Sequence, residues 1–382
     1  MMVNKVAIID NYAPHYRLPL WSALARTRNI EYWFFAFSRE ANGIKTISQR
    51  ELLENNIKYK ELKNIRFKEI VIWQKGIMKI VLKKDFSHYV FNGDMYCLST
   101  WLAALVLRRS GIKITFWGHG LYGNEWWLKK RIRMLFNKLP TYHLLYGDRA
   151  KKLLIRENLN AQNLYVVYNS LDYKLQKRVF YSLKQESLTK TKFEIFQNYE
   201  NTIIFIGRLT KEKRLDLLID ALNILKAKGI RYNLLLIGEG PETKAIIRKI
   251  NKYGLDKIKF WGPCYSENII GELIGLADIT VSPGNVGLTA IHSLSFGTPV
   301  ITHNDFTDQG PEVEIIEDEI TGAFFVKEDS MCLANSIQNW FSKNPDSNLK
   351  RQRCRMKIDK YYNPDYQISV FNDLILGKVP TD

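Results

Sequence analysis

The residues of this chain best suited to chemistry are Arg208 and Lys213, two cations five positions apart in the segment FIGRLTKEK. The apolar run Ile203 to Ile206 reads as a strand, and Gly207 behind it lets the backbone approach a ligand closely. A guanidinium and an ammonium at such a strand end can neutralise a diphosphate that gains charge as it departs, which is the chemistry of a nucleotide-sugar leaving group. The competing reading is a solvated turn followed by a helix-start charge.

Other segments could complete such a site. Ser282 to Ile301, SPGNVGLTAIHSLSFGTPVI, reads as a strand end, a Pro-Gly-Asn turn, a helix opened by Gly287 and a stop at Gly297 and Pro299. Free N–H groups at that helix start favour a phosphate or a carboxylate. Gly238, Glu239 and Gly240 in LLLIGEG follow another strand, and admit either a close ligand or a plain tight turn. In the first half, TFWGHGLYG places His119 between Gly118 and Gly120, and NYAPHYR places Tyr12, His15 and Arg17 after the first strand. Glu317, Asp318 and Glu319 precede Thr321 and Gly322 and read as a solvated turn rather than a metal site. No DxD pair occurs.

Positioning these groups requires strands alternating with helices. Val6 to Asp10, Tyr89 to Asn92, Lys113 to Trp117 and Tyr142 to Tyr146 read as strands, with helices over LPLWSALA, Thr100 to Arg109 and Trp126 to Leu139. After a polar stretch at 172–200, strands at 203–206, 233–237, 258–261, 278–282 and 299–302 alternate with helices at 213–228, 241–252, 267–276 and 287–296. This order implies α/β architecture with parallel sheets covered on both faces, whose ligands bind at the carboxyl ends of the strands. The expected division is an N-terminal domain at 1–180, a linker at 181–200, a C-terminal domain at 201–355 and a final segment at 356–382.

Composition narrows the partners. Of the net charge of +17, residues 1–150 carry +14, from 25 Lys and Arg against 11 Asp and Glu. The first half therefore faces something acidic, and with no RNP, zinc-finger or basic-zipper pattern the expectation is anionic membrane or phosphorylated lipid, not nucleic acid. Four dispersed cysteines suggest neither a zinc site nor a disulfide framework. MMVNKVAIID lacks the apolar region and cleavage site of a signal peptide, so the expected location is cytoplasmic, peripheral at the inner face of the plasma membrane.

GRLTKEK, LLLIGEG, SPGNVGLTAIHSLSFGTPVI and GPEVEIIEDEITGAFF, in this order over roughly residues 200 to 340, resemble the C-terminal domain of the family 4 retaining glycosyltransferases. The resemblance implies the GT-B fold: two Rossmann-like domains facing each other across a cleft, with the C-terminal segment crossing back to the first. It implies that Arg208 and Lys213 hold the donor diphosphate, that His119 and Glu312 reach the transferred sugar, and that Tyr12, His15 and Arg17 meet the acceptor. Gly207, Gly238, Glu239, Gly284, Asn285, Val286, Gly287, Leu288, Thr289 and His292 then line the donor. One departure stands out. Two glutamates eight positions apart are usual in this family, and Gly284 and His292 occupy their places. Asn285 or backbone amides could take over the sugar contact, and His292 is either a ribose contact or a buried helix histidine.

Residues 125–139, EWWLKKRIRMLFNKL, combine Trp126, Trp127, Leu128 and Ile132 with Lys129, Lys130, Arg131 and Arg133. Such a helix can lie in a membrane interface or pack its apolar stripe on its own domain. The function expected is transfer of a sugar from a UDP- or GDP-linked donor, with no cofactor and no metal, to a hydroxyl of a glycan acceptor, free or lipid-linked, in capsule, O-antigen or exopolysaccharide synthesis. Two alternatives stand beside it: a non-catalytic nucleotide-sugar or glycan-binding subunit, if loss of both glutamates has removed catalysis, and an enzyme of another kind on the same fold, a nucleotide-sugar epimerase.

Overall fold

The structure, a computed structural model, describes residues 4–38, 45–68, 70–343 and 347–379. Met1 to Val3 and the expected domain ends at 1 and 382 lie outside the described residues. The chain forms two compact units, one from residues 1–171 and 363–382, the other from 172–362.

In the first unit the strands are β1 (Asn4–Ile9), β2 (Ile30–Ala36), β3 (Tyr59–Glu61), β4 (Lys63–Phe67), β5 (Val71–Lys75), β6 (His88–Asn92), β7 (Lys113–Gly118), β8 (Tyr142–Leu145) and β9 (Leu164–Val166). Seven of them make a parallel sheet in the order β3-β2-β1-β6-β7-β8-β9, and β4 pairs with β5 as an antiparallel hairpin. Successive strand residues point to opposite faces, so β1 feeds two cores. Val6 and Ile8 pack with Phe34, Val90, Trp117 and Phe371, whereas Ala7 and Ile9 pack with Phe35, Tyr89, Phe91 and Phe116. Near-continuous apolar strands are what a sheet covered on both faces demands.

In the second unit β10 (Thr202–Ile206), β11 (Asn233–Ile237), β12 (Ile258–Gly262), β13 (Ile279–Ser282), β14 (Val300–His303) and β15 (Gly322–Phe325) form a parallel sheet in the order β12-β11-β10-β13-β14-β15. Ile203 and Phe205 face one core with Leu218, Leu222 and Leu225. Ile204 faces the other with Leu235 and Ile237.

The expected linker is corrected by this second core. Residues 172–200 carry helices Tyr173–Ser182 and Gln185–Phe196, and their sparse apolar residues Val179, Leu188 and Phe196 are buried against Ile204 and Leu235. A polar stretch that buries Val179, Leu188 and Phe196 in this way is thus a sheet-covering layer, and the second unit begins at Asp172, not at 201. At the other end the chain rejoins the first unit at Asn363, where helix Pro364–Leu376 buries Phe371, Leu374 and Ile375.

Candidate active site

In an open parallel sheet a crevice forms where neighbouring strands send their connections in opposite directions, and ligands settle there outside the carboxyl ends. In the second unit that point lies between β10 and β13. The loop after β10 carries Gly207, Arg208 and, on a short 3-10 turn, Lys213; the loop after β13 carries Gly284 and Asn285. The two loops are tied together. Lys213 Nζ donates to the Asn285 carbonyl oxygen at 2.6 Å, and the Gly284 N–H donates to the Lys213 carbonyl at 3.1 Å. Burial lowers the Lys213 pKa, while the carboxylates of Glu312 and Glu212 work in the opposite sense. Glu312 is itself buried, on the 3-10 turn Pro311–Ile315. Arg208 is exposed, and its guanidinium has no hydrogen-bond or ion-pair partner among the described residues.

Further contacts shape the loop after β13. A Cβ on Gly284 would run into the Glu212 carbonyl and stand 2.9 Å from Lys213 Cα, so no glutamate fits at this position on this backbone. Val286 is fully buried and donates its N–H to Gln309 Oε1 at 2.9 Å, which removes both its side chain and its amide from ligand contact. Gln309 in turn donates to Thr302 Oγ1 at 2.8 Å. The amides of Gly287 and Leu288 remain without a partner among the described residues, at the start of helix Thr289–Ser295, and Thr289 Oγ1 donates to the Ile206 carbonyl at 3.3 Å. Gly238 has a packing reason, because a Cβ there would strike the Gly207 carbonyl; Glu239 lends its carbonyl oxygen to the Leu209 N–H at 3.0 Å.

His292 is engaged within its own unit, its ring 5.7 Å from that of Phe296 between centroids. Its Nε2 lies 2.9 Å from Glu267 Oε1, which also accepts from Gln176 Nε2 at 2.7 Å. Glu267 and Gln309 escaped the sequence reading. Both act across 23 or more residues of chain, at spacings that carry no local periodic signal.

In the first unit His119 follows β7, in ring contact with Tyr122 at 5.3 Å and Tyr146 at 5.0 Å between centroids. Burial, then Arg133 and Arg17, pull its pKa down to about 4, so the imidazole is neutral at pH 7. The expected acceptor trio separates. Arg17 is buried, donates from Nη1 to Asp10 Oδ2 at 2.6 Å and from Nη2 to the Tyr146 hydroxyl, and lies 4.1 Å from the centre of the Trp117 ring. Its charge is consumed inside the unit. His15 Nε2 pairs with Glu51 at 3.0 Å. Tyr12 is half-buried and takes a hydrogen bond from Arg66.

The basic helix runs Trp127–Asn137 with Met134 and Phe136 inward, while Trp127 is 65% and Leu135 62% exposed. Two of the four cations expected to face lipid are engaged elsewhere: Lys130 with Glu157 at 2.5 Å, and Arg133 with Glu125 at 3.4 Å and over the Tyr122 ring. Lys129 and Arg131 have no ion-pair partner among the described residues. No helix among the described residues is long and apolar enough to cross a membrane.

Residues 188–360 match the family model described as Glycosyl transferases group 1. A GDP-mannose-dependent alpha-(1-6)-phosphatidylinositol dimannoside mannosyltransferase of Mycobacterium tuberculosis is 34% identical over 102 residues, 26% of either chain. The amylovoran biosynthesis glycosyltransferase AmsD of Erwinia amylovora is 26% identical over 191 residues, 48% of this chain and 50% of that one. The chain thus spans between a quarter and a half of the length of these curated relatives. Among solved structures, Anabaena Alr3699/HepE in complex with UDP superposes with a TM-score of 0.74 over 97% of this chain and 99% of its own, at 15% identity. The fold of the chain is GT-B, an α/β fold with parallel sheets.

Proposed function

We propose that this chain is a retaining glycosyltransferase that moves a sugar from a UDP- or GDP-linked donor to a hydroxyl of a glycan acceptor, lipid-linked, in polysaccharide biosynthesis. The observation that carries the reading is the tie between Lys213 and Asn285 at the β10/β13 switch point, with the Arg208 guanidinium, unpartnered among the described residues, on the same loop. The group 1 match over this unit, and relatives named for GDP-mannose and for amylovoran synthesis, support it.

In this reading the donor diphosphate sits against Arg208, Lys213 and the open amides of Gly287 and Leu288. The bond from the sugar's anomeric carbon to the phosphate oxygen breaks and the acceptor oxygen bonds to the same face. The acceptor's proton passes to the departing phosphate, so no side chain need serve as base. Preorganised cations stabilise the charge that develops on the leaving group. Glu312 hydrogen-bonds the transferred sugar, and Asn285 and Thr289 border the phosphates. Metal plays no part, and turnover is expected to persist in EDTA.

The enzyme works at an anionic membrane, at the cytoplasmic side. Trp126, Trp127, Leu128, Ile132 and Leu135 are exposed beside Lys129 and Arg131. The neighbouring helix Leu98–Arg109, joined by the Trp101–Phe136 ring contact at 5.0 Å, adds exposed Leu98, Leu102 and Leu105. The test of the transfer reading is titration of UDP and of GDP into the wild type and the Arg208→Ala variant: one nucleotide should bind the wild type, and the variant should bind it at least tenfold more weakly. If neither nucleotide binds the wild type, the reading fails.

A further inference from the structure

A pocket of about 300 Å³ opens on the first unit between strands β1 to β3 and the helix Ile77–Lys83. Lys5 opens β1 and Phe86 leads into β6, so part of its lining comes from the amino ends of two neighbouring strands, whereas Tyr12 and His119 follow carboxyl ends. Its floor is apolar. Phe35, Ile80 and Phe86 are buried and Trp33 is half-buried, and the Trp33 indole N–H is already spent on Glu31 Oε1 at 2.6 Å. Phe86 meets Trp33 at 69° and Phe35 at 86°, with ring centroids 6.4 and 5.7 Å apart. Rings set edge to face leave no parallel slot for a flat base, and a floor with no free side-chain donor cannot read a base edge. An alkyl chain, which bends to fit, satisfies such a floor.

The rim has the opposite character. Lys5, Lys60 and Lys83 are exposed and make no ion pair among the described residues, against one carboxylate of the lining, Asp85. Glu31, in register with Lys5, already holds Lys58 at 3.0 Å. Asp85 can balance one ammonium group of the three, so the rim stays positive and is complementary to a phosphate.

We propose that this pocket binds one molecule of anionic phospholipid, with the start of an acyl chain on the floor of Trp33, Phe35 and Phe86 and the phosphate among Lys5, Lys60 and Lys83. The proposal stands apart from the transfer reading, since no residue of the pocket belongs to the second unit. It also differs from adsorption of the basic helix to a charged surface: this is a saturable site that fills from solution with a single lipid.

Calorimetric titration of the full chain with dihexanoyl-phosphatidylglycerol, below its micelle concentration, should show one site. Dihexanoyl-phosphatidylcholine and glycerol 3-phosphate, which lack the net charge and the chains respectively, should each bind far more weakly. Lys60→Gln with Lys83→Gln should weaken the phosphatidylglycerol about tenfold or more, the scale of losing one hydrogen bond to a charged group. Asp85→Asn should instead tighten it by roughly threefold, the scale of one exposed charge contact. Partial unfolding does not produce shifts of opposite sign. Phosphatidylglycerol brominated in its short acyl chains should quench tryptophan fluorescence, and Trp33→Phe should remove most of that quenching while Trp126→Phe with Trp127→Phe removes none. No binding of phosphatidylglycerol, equal binding of phosphatidylcholine, or an affinity unchanged in either charge variant would overturn the proposal. Glycerol 3-phosphate bound as tightly as the lipid would overturn it too, marking a site for phosphate alone, as would quenching that survives Trp33→Phe. Titration of UDP and GDP reports on the donor reading separately.

Discussion

The Lys213 ammonium is held 2.6 Å from the Asn285 carbonyl oxygen, so the loops after β10 and β13 meet through one cation at the switch point of the second unit. A lysine fixed in this way has lost its rotamer freedom before a ligand arrives, which is the condition for electrostatic preorganisation.

Replacing either cation should therefore act on turnover. Arg208→Ala and Lys213→Ala are each expected to lower transfer by about two to three orders of magnitude, the scale of removing one preorganised charge partner. Arg208 is exposed, so its variant should melt at the wild-type temperature. Steady-state kinetics and a thermal melt check both statements, and wild-type rates in the two variants would refute the assignment.

A glutamate introduced at position 284 should not help. Gly284→Glu drives a side chain into the Glu212 carbonyl and Lys213 Cα, so the loop must shift. Overpacking of this kind costs about 1–3 kcal/mol, or roughly 2–10 °C in melting temperature for a unit of this size. Calorimetry should show that loss, with activity reduced, not raised.

Membrane binding should depend on an unequal pair of cations. Lys129→Gln with Arg131→Gln removes about 2 kcal/mol of attraction to anionic lipid, roughly thirtyfold in affinity. Lys130→Gln should do less, since Lys130 is paired with Glu157. Cosedimentation with phosphatidylglycerol vesicles at low and high salt measures the difference; equal effects of all three substitutions would mean that the face is not the one described.

Acid should weaken the first unit through its neutral histidines. Burial first depresses the pKa values of His119 and His143 to about 4 and that of His88 to about 3, all below the unfolded value of 6.5. Between those limits the unfolded chain binds more protons, so this contribution to stability is complete above about pH 6.5 and is lost as the pH falls towards 4. NMR titration of the ring protons should show His119 unprotonated at pH 5.5, and His119→Gln should flatten part of the pH dependence of unfolding.

Much of the strand order was legible because buried parallel strands are continuous apolar runs, as at Ile203 to Ile206 and Leu234 to Ile237, each ended by glycine. The Lys213–Asn285 tie was half-visible, in that both loops were recognised while their contact needed the fold. Arg17 misled because a cation in a loop after a strand reads as a ligand group, and only tertiary structure supplies Asp10 and Tyr146 as its partners. Glu267 was overlooked for a related reason: a single carboxylate has no pattern until the fold sets it 2.9 Å from His292 Nε2.

The central claim, transfer with retention, is most directly tested by incubating the wild type with a panel of UDP- and GDP-sugars and a lipid-linked glycan acceptor. The product mass and the configuration at its new anomeric centre are then read by mass spectrometry and NMR. The account predicts one sugar added from one donor, with the anomeric configuration of the donor preserved, and a yield cut at least a hundredfold by Arg208→Ala. An inverted product, or donor converted to an epimer with nothing transferred, would contradict it.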